Sequence, residues 1–222
     1  MSRPLPGTES EGPTLVETKT PDAPRATPSG SAAPVAAPKG KLLGTFRNTY
    51  YNFPRESEPS GPPVGLMSGT CEKIADVPRA FHDAVCVQGS GMLRRGGTVS
   101  FARRDCECAE ICPRTNQKIC FDALDPKQFP WGRGSAGTAI TPLRTIAVDT
   151  NLIPLNTRVY IREFDGLNLD GKRHNGCFVA EDRGLRVQGQ HVDIFAGDVA
   201  TTDRLNQMVP SNQGVAVYID VE

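Results

Sequence analysis

Long apolar runs are missing from this chain of 222 residues, and so is any excess of one charge. Lys and Arg number 25 and so do Asp and Glu, for a formal net charge of zero. The two signs are mixed throughout with no basic stripe, which excludes the electrostatic footprint of a nucleic-acid binder. No stretch is long and apolar enough for a transmembrane helix. The opening MSRPLPGTESEG lacks the charged and apolar regions of a secretory signal, so an exported protein would have had its signal removed or use an unusual one. Histidines are 3, at positions 82, 174 and 191, and none stands at ligand spacing from the acids, which argues against metal chemistry. No cofactor or metal is expected. The first 40 residues hold no aromatic side chain and are dominated by Pro, Ala, Ser, Thr and Gly. Such a segment buries too little apolar surface to offset the entropy of ordering it, and it is expected to be a disordered tether. Residues 41–222 suit one domain with a sizeable core.

Cysteine is plentiful by contrast, at Cys71, Cys86, Cys106, Cys108, Cys112, Cys120 and Cys177. Three pairs plus one suit disulfides in an oxidising compartment. The alternative, a zinc site, is disfavoured because CECAEICPRTNQKIC lacks paired C-x2-C knuckles. The pairing is left open, and a cross-linked insertion is expected over about 71–120.

Long helical periodicity is scarce, and short β-patterned runs between turn signals dominate. The runs are 43–51, 98–103, 145–149, 158–164, 177–182, 192–195 and 215–221, with short helices near 77–84 and 199–208. In the last run Val215, Val217, Ile219 and Val221 alternate with Ala216, Tyr218 and Asp220, as a central or closing strand does. Asp165-Gly166 and Asp170-Gly171 read as turns. An all-β fold follows, either a small closed barrel with insertions or a sandwich.

Three acids draw attention: Asp149 in TIAVDTNLIPL, Asp182 in CFVAEDRGLRVQGQ and Asp193 in HVDIF. Strand parity sets Asp149 opposite Ile146 and Val148, and Asp193 opposite Val192 and Ile194, so both leave the apolar face. Asp182 follows Phe178 and Ala180 in parity and closes its strand. Clustered carboxylates raise the pKa of at least one member, as a glycosidic acid requires. Taken singly, each has a plainer explanation: Asp149 capping the turn before Asn151, Asp182 pairing with Arg183 or Arg186. Asp149-Thr150 is not half of an aspartic-protease site, since Asn151 spoils the triplet and no second copy exists.

The stretches RTIAVDTNLIPLNTRVYI and GCFVAEDRGLRVQGQHVDIF resemble the 3D domain, named for three aspartates and found in membrane-bound lytic transglycosylase A and in smaller secreted enzymes that cleave peptidoglycan. The matching elements are Ala147-Val148-Asp149, 153–157, Ala180-Glu181-Asp182-Arg183-Gly184, Gly189 and 192–195. Leu185, Asn156 and Gln188 depart from it, standing where the family commonly has glycine, glycine and lysine. The resemblance implies a six-stranded double-psi β-barrel with the acids lining a glycan groove. It implies a lytic transglycosylase that cleaves the bond between N-acetylmuramic acid and N-acetylglucosamine to 1,6-anhydro products. Asp193 matches the catalytic acid, and Asp182 and Asp149 match its supports.

Tyr50, Tyr51 and Trp131 are candidate sugar platforms, with barrel packing or loop anchoring as the plainer roles, and Gly184 and Gln188 are candidate loop contacts to substrate. His191 shares the face of Asp193 and is expected to be a hydrogen-bonded groove residue or to tune that acid. The implied partner is the peptidoglycan glycan strand and the implied location extracytoplasmic in bacteria. The protein is expected to be a monomer. The competing class is a non-catalytic glycan-binding barrel.

Overall fold

The computed structural model describes residues 40–58, 61–169 and 171–221. The expected tether over 1–40 lies outside the described residues, apart from its last one. In chain order the elements are β1 (Lys41–Asn52), β2 (Pro63–Met67), β3 (Lys73–Pro78), α1 (Arg79–Gln88), β4 (Ser90–Met92), β5 (Thr98–Arg103), β6 (Ile111–Cys112) and β7 (Gln117–Lys118). There follow β8 (Cys120–Leu124), β9 (Thr145–Val148), β10 (Arg158–Leu169), β11 (Lys172–Asp182), β12 (His191–Gly197), α2 (Val199–Met208) and β13 (Val215–Ile219).

Six of these strands close a barrel in the order β1-β12-β9-β11-β10-β13, with β13 returning to pair antiparallel with β1. The β1/β12 and β9/β11 pairs are parallel and the other four antiparallel. Closure settles the barrel over the sandwich and leaves no open edge along its wall. The interior is filled by one face of each strand, including Phe46, Ile146, Val148, Ile161, Phe178, Val192, Ile194 and Val217, all at most 2% exposed. The alternation read in 215–221 holds over Val215–Ile219, the strand that closes the barrel, which ends before Asp220, where φ is +57°.

One turn signal is used differently. Asp165-Gly166 lies inside β10, where the register with β11 shifts on either side of Asp165 and Gly166 takes φ +84°. Glycine accepts that backbone without a Cβ clash, so the pair makes an irregularity in a long strand and the chain reverses only after Leu169.

Between β1 and β9 the chain leaves the barrel and builds a second small body from β2–β8 and α1, wider than the stretch 71–120 that cysteine positions outline. It holds a two-stranded sheet of β2 and β3, a three-stranded sheet of β4, β5 and β8, and the short ladder of β6 and β7. Its own core packs Leu66, Val77, Phe81, Val85, Val99, Ile119 and Phe121. Three disulfides tie it, Cys71–Cys108, Cys86–Cys112 and Cys106–Cys120, and Cys177 of the barrel is free. The sulfurs of Cys71, Cys106 and Cys108 cluster closely enough to hold a metal, but all three are taken up in these bridges. No helix among the described residues is long and apolar enough to cross a membrane.

Candidate active site

A row of four residues crosses the outer wall of the barrel: Thr49 on β1, Asp193 on β12, Ala147 on β9 and Asp182 on β11. Each is the register partner of the next. On β12 the side chains of Val192 and Ile194 turn into the barrel core, so His191, Asp193 and Phe195 take the outer face. Ala147 sits between the two acids, and its methyl group is the reason both carboxyls can enter one cleft. A larger side chain there would stand between them.

Asp182 reaches this row through an irregularity. Phe178 and Ala180 face the interior, and unbroken parity would send Asp182 with them. The pairing of β11 with β9 shifts between Ala180 and Asp182, so that Ala180 stands opposite Ile146 and Asp182, not Glu181, opposite Ala147. The extra residue turns Asp182 outward. Glu181 is held aside by hydroxyls donated from Thr145 (2.5 Å) and Thr138 (3.2 Å).

The loop 131–140 completes the surroundings of Asp182. Its backbone N–H at Ser135 (3.0 Å) and the Ser135 hydroxyl (2.8 Å) both donate to Asp182 Oδ1, as does the N–H of Arg183 (2.8 Å). The Tyr51 hydroxyl donates to Oδ2 at 3.3 Å. Gly134 permits the approach, since a Cβ there would lie 2.4 Å from the Glu181 carbonyl oxygen. Trp131 anchors the same loop, edge-on to Phe53 and Phe195 with the Arg55 guanidinium 5.4 Å over its ring. It does not line the cleft.

The two acids differ in their donors. Asp193 accepts a single side-chain hydrogen bond, from the Thr49 hydroxyl at 2.6 Å. Its carboxyl is pushed up to about 6, by burial first and also by the neighbouring Asp182 charge, against the lowering effects of the Thr49 hydrogen bond and Arg47. Burial also raises Asp182, but the hydrogen bonds from Arg183, Ser135 and Tyr51 all hold its charged form. The pair is unequal in its partners: Asp182 has four donors and Asp193 one, and Asp193 keeps its proton to a higher pH than an ordinary carboxyl does. Tyr51 is pushed well above its ordinary range by burial and by both aspartates, and stays neutral.

Asp149 is tied differently. Its oxygens accept the backbone N–H groups of Gly189 (2.7 Å) and Asn151 (3.0 Å), which hold it below the usual carboxylate range. It thus caps its own turn and pins the loop between β11 and β12, acting on the shape of the site and not on Asp193 directly. Asn156, which replaces a glycine of the family pattern, takes φ +68° and keeps that turn, donating its N–H to Ala180.

The acids open into a cleft of about 610 Å³ between the barrel and the cross-linked body. Tyr51, Ala147, Asp182 and Asp193 form the barrel side, with Gly184, Leu185 and Gln188 on the adjoining loop. Gln88, Phe101, Arg104 and Thr115 form the other side, where the Arg104 guanidinium lies 4.7 Å over the Phe101 ring. Of the aromatic candidates only Tyr51 faces this space. Tyr50 turns inward, packs against Phe164 in the barrel core and donates to the Val209 carbonyl. His82 and His174, to which sequence assigned no role, are buried and bonded to Asp83 and to the Leu143 carbonyl.

Sequence reasoning missed Thr49, Ser135 and the opposite wall. Thr49 shares parity with Tyr51 and was open to the same argument that placed Asp193. Ser135 and Arg104 carry no local signal, because only the packing of distant segments brings them to the acids.

No curated protein matches the chain. Among solved structures, the fold is similar to that of E. coli MltA with bound chitohexaose. The TM-score is 0.55 at 16% identity, covering 79% of this chain and 71% of that one. It is also similar to a membrane-bound lytic murein transglycosylase from Agrobacterium tumefaciens, with a TM-score of 0.55 at 14% identity and coverage of 78% and 73%. At these identities the likeness is one of fold. The segment that supplies β9 to α2, and with them Asp149, Asp182 and Asp193, also resembles a known family in sequence: residues 144–210 match the 3D domain.

Proposed function

We propose that this protein is a peptidoglycan lytic transglycosylase that cleaves between N-acetylmuramic acid and N-acetylglucosamine, with Asp193 as acid and then base. The observation that carries this reading is the Thr49–Asp193–Ala147–Asp182 row, which sets a carboxyl raised to about 6 beside a second carboxyl ringed by donors at the floor of a cleft. Glycosidic cleavage needs such an acid at the leaving oxygen. Protonated Asp193 gives its hydrogen to that oxygen as the bond to C1 breaks. The Asp182 carboxylate opposes the positive charge that develops on the sugar. Asp193, now a carboxylate, takes the proton of the C6 hydroxyl as that oxygen bonds to C1, so the 1,6-anhydro ring forms and the acid is restored. Intramolecular attack has an entropic advantage over capture of water.

The E. coli MltA structure was solved with chitohexaose, a chain of N-acetylglucosamine, which is consistent with a polymeric amino-sugar glycan as the ligand of this cleft. Both walls of the cleft come from one chain, so a monomer suffices. Three disulfides call for an oxidising, extracytoplasmic compartment. A barrel that merely held glycan would need the Phe101 and Arg104 wall but no raised acid. Mass spectrometry of purified peptidoglycan digests decides between the two: 1,6-anhydro ends absent from an Asp193→Asn digest and present in wild type are expected. Hydrolytic ends, or no soluble product at all from wild type, would overturn the reading.

A further inference from the structure

Three contacts run in line behind the catalytic carboxyl. The Arg186 carbonyl lies 3.2 Å from His191 Nδ1, His191 Nε2 lies 2.8 Å from the Thr49 hydroxyl oxygen, and that oxygen lies 2.6 Å from Asp193 Oδ1. A carbonyl oxygen only accepts, so Nδ1 carries a hydrogen. The Thr49 hydroxyl has one hydrogen to give. Two arrangements then satisfy every contact. In one, the Asp193 carboxyl donates from Oδ1 to Thr49 and Thr49 donates to a neutral imidazole. In the other, a protonated imidazole donates from Nε2 to Thr49 and Thr49 donates to an Asp193 carboxylate.

We propose that His191, Thr49 and Asp193 form a proton-sharing chain in which the Thr49 hydroxyl turns between imidazole and carboxyl, making His191 a positioning residue for the acid. The two arrangements hold the same number of protons and differ only in where two of them sit. The Oδ1–H bond breaks as a hydrogen bonds to Thr49 Oγ1, and the Thr49 hydrogen passes to Nε2, with no change in total charge. His191 is only 6% exposed, so water competes little for these partners. Burial, first, and Arg47, second, lower the imidazole while burial raises the carboxyl, so both shifts favour the uncharged arrangement, which stores the acid proton. Other groups around the chain are accounted for. Arg47 bonds Asn212, Asp182 faces Asp193 across Ala147, Tyr51 bonds Asp182, the Arg186 guanidinium bonds the Arg114 carbonyl, and Asp149 bonds Gly189 and Asn151. Because Thr49 accepts from a carboxyl and donates to a carboxylate, both protonation states of Asp193 keep a partner, as acid-then-base work requires.

The proposal rests on Asp193 as the acid, and its primary readout is titration, which does not require turnover. The Asp193 carboxyl 13C and His191 imidazole 15N shifts are followed against pH in wild type, Thr49→Val, Thr49→Ser and His191→Gln. In wild type both nuclei are expected to move in one shared pH window, with each curve showing the other's step. Thr49→Val separates them into two single steps and Thr49→Ser joins them again. His191→Gln moves the Asp193 midpoint by roughly half a pH unit or more, and moves the pH limb of kcat/KM with it. Unchanged Asp193 titration in both Thr49→Val and His191→Gln would overturn the chain. So would a His191→Gln enzyme that loses rate equally at every pH. Joined titrations in a protein that yields no anhydro product would leave the chain standing and sink the transglycosylase reading instead.

Discussion

The barrel and the cross-linked body are held together by different means, and the difference follows from what each can bury. The barrel encloses a continuous interior that includes Phe46, Phe164, Phe178, Ile194 and Val217, and needs no bridge; its one cysteine is free. The other body spreads two- and three-stranded pieces over β2–β8 around a far smaller cluster. Sheets that small are marginal in water, and three disulfides replace the apolar area they lack. The functional division follows the same line. The self-sufficient half carries the acids, where the positions of two carboxyls must be kept, and the stapled half supplies a wall.

The comparison predicts separable losses. Asp193→Asn is expected to lower release of anhydro products on the order of 10³-fold while circular dichroism stays native-like and the variant is no less stable than wild type, since the change lies on the outer face of an intact barrel. Next, replacing Cys86 and Cys112 by Ser is expected to cost about 2–4 kcal/mol in the stapled body. Hydrogen exchange should show faster amides across β2–β8 and unchanged protection in β9–β13. Equal acceleration in both halves would show that the barrel leans on its neighbour.

A third effect concerns pH. The folded Asp193 carboxyl is raised above its unfolded value, to about 6, so its contribution to stability is greatest at low pH and is lost as pH rises from about 4 through about 6. The loss is of the order of 3 kcal/mol. Asp193→Asn removes the titration, so the variant should gain on wild type in urea melts at pH 7.5, and the gain should vanish near pH 4. The smallest effect is at the far wall: Arg104→Ala is expected to raise KM about 3- to 10-fold with little change in kcat, because the residue lines the cleft opposite the acids.

Sequence made the barrel strands legible wherever one face is buried and the other is not. The runs 158–164 and 192–195 fall within observed strands because parity there is set by the barrel core, and 98–103 coincides with β5 of the stapled body. The strands β2, β3, β4 and β8 were illegible, since a short strand in a small body lacks enough alternation to rise above its turns. Asp193 was placed on the correct face by parity alone. Asp182 was not: its register shift with β9 is invisible in CFVAED, and only the pairing of β11 shows that the extra residue turns the acid outward. Tyr50 and Tyr51 were equivalent in sequence as aromatic neighbours, and burial of β1 divided them, one into the core and one beside Asp182.

The chain by itself determined a β-rich fold, a cysteine-laden insertion and three aspartates in a 3D pattern, because those features rest on local alternation, composition and spacing. Tertiary structure decided which acid is buried beside which donor. A carboxyl's proton affinity depends on what lies within a few ångströms, and those neighbours come from β1, from the loop at Ser135 and from the turn at Arg183. The unequal pair of Asp182 and Asp193, and the chain through Thr49 to His191, exist only once the barrel has closed.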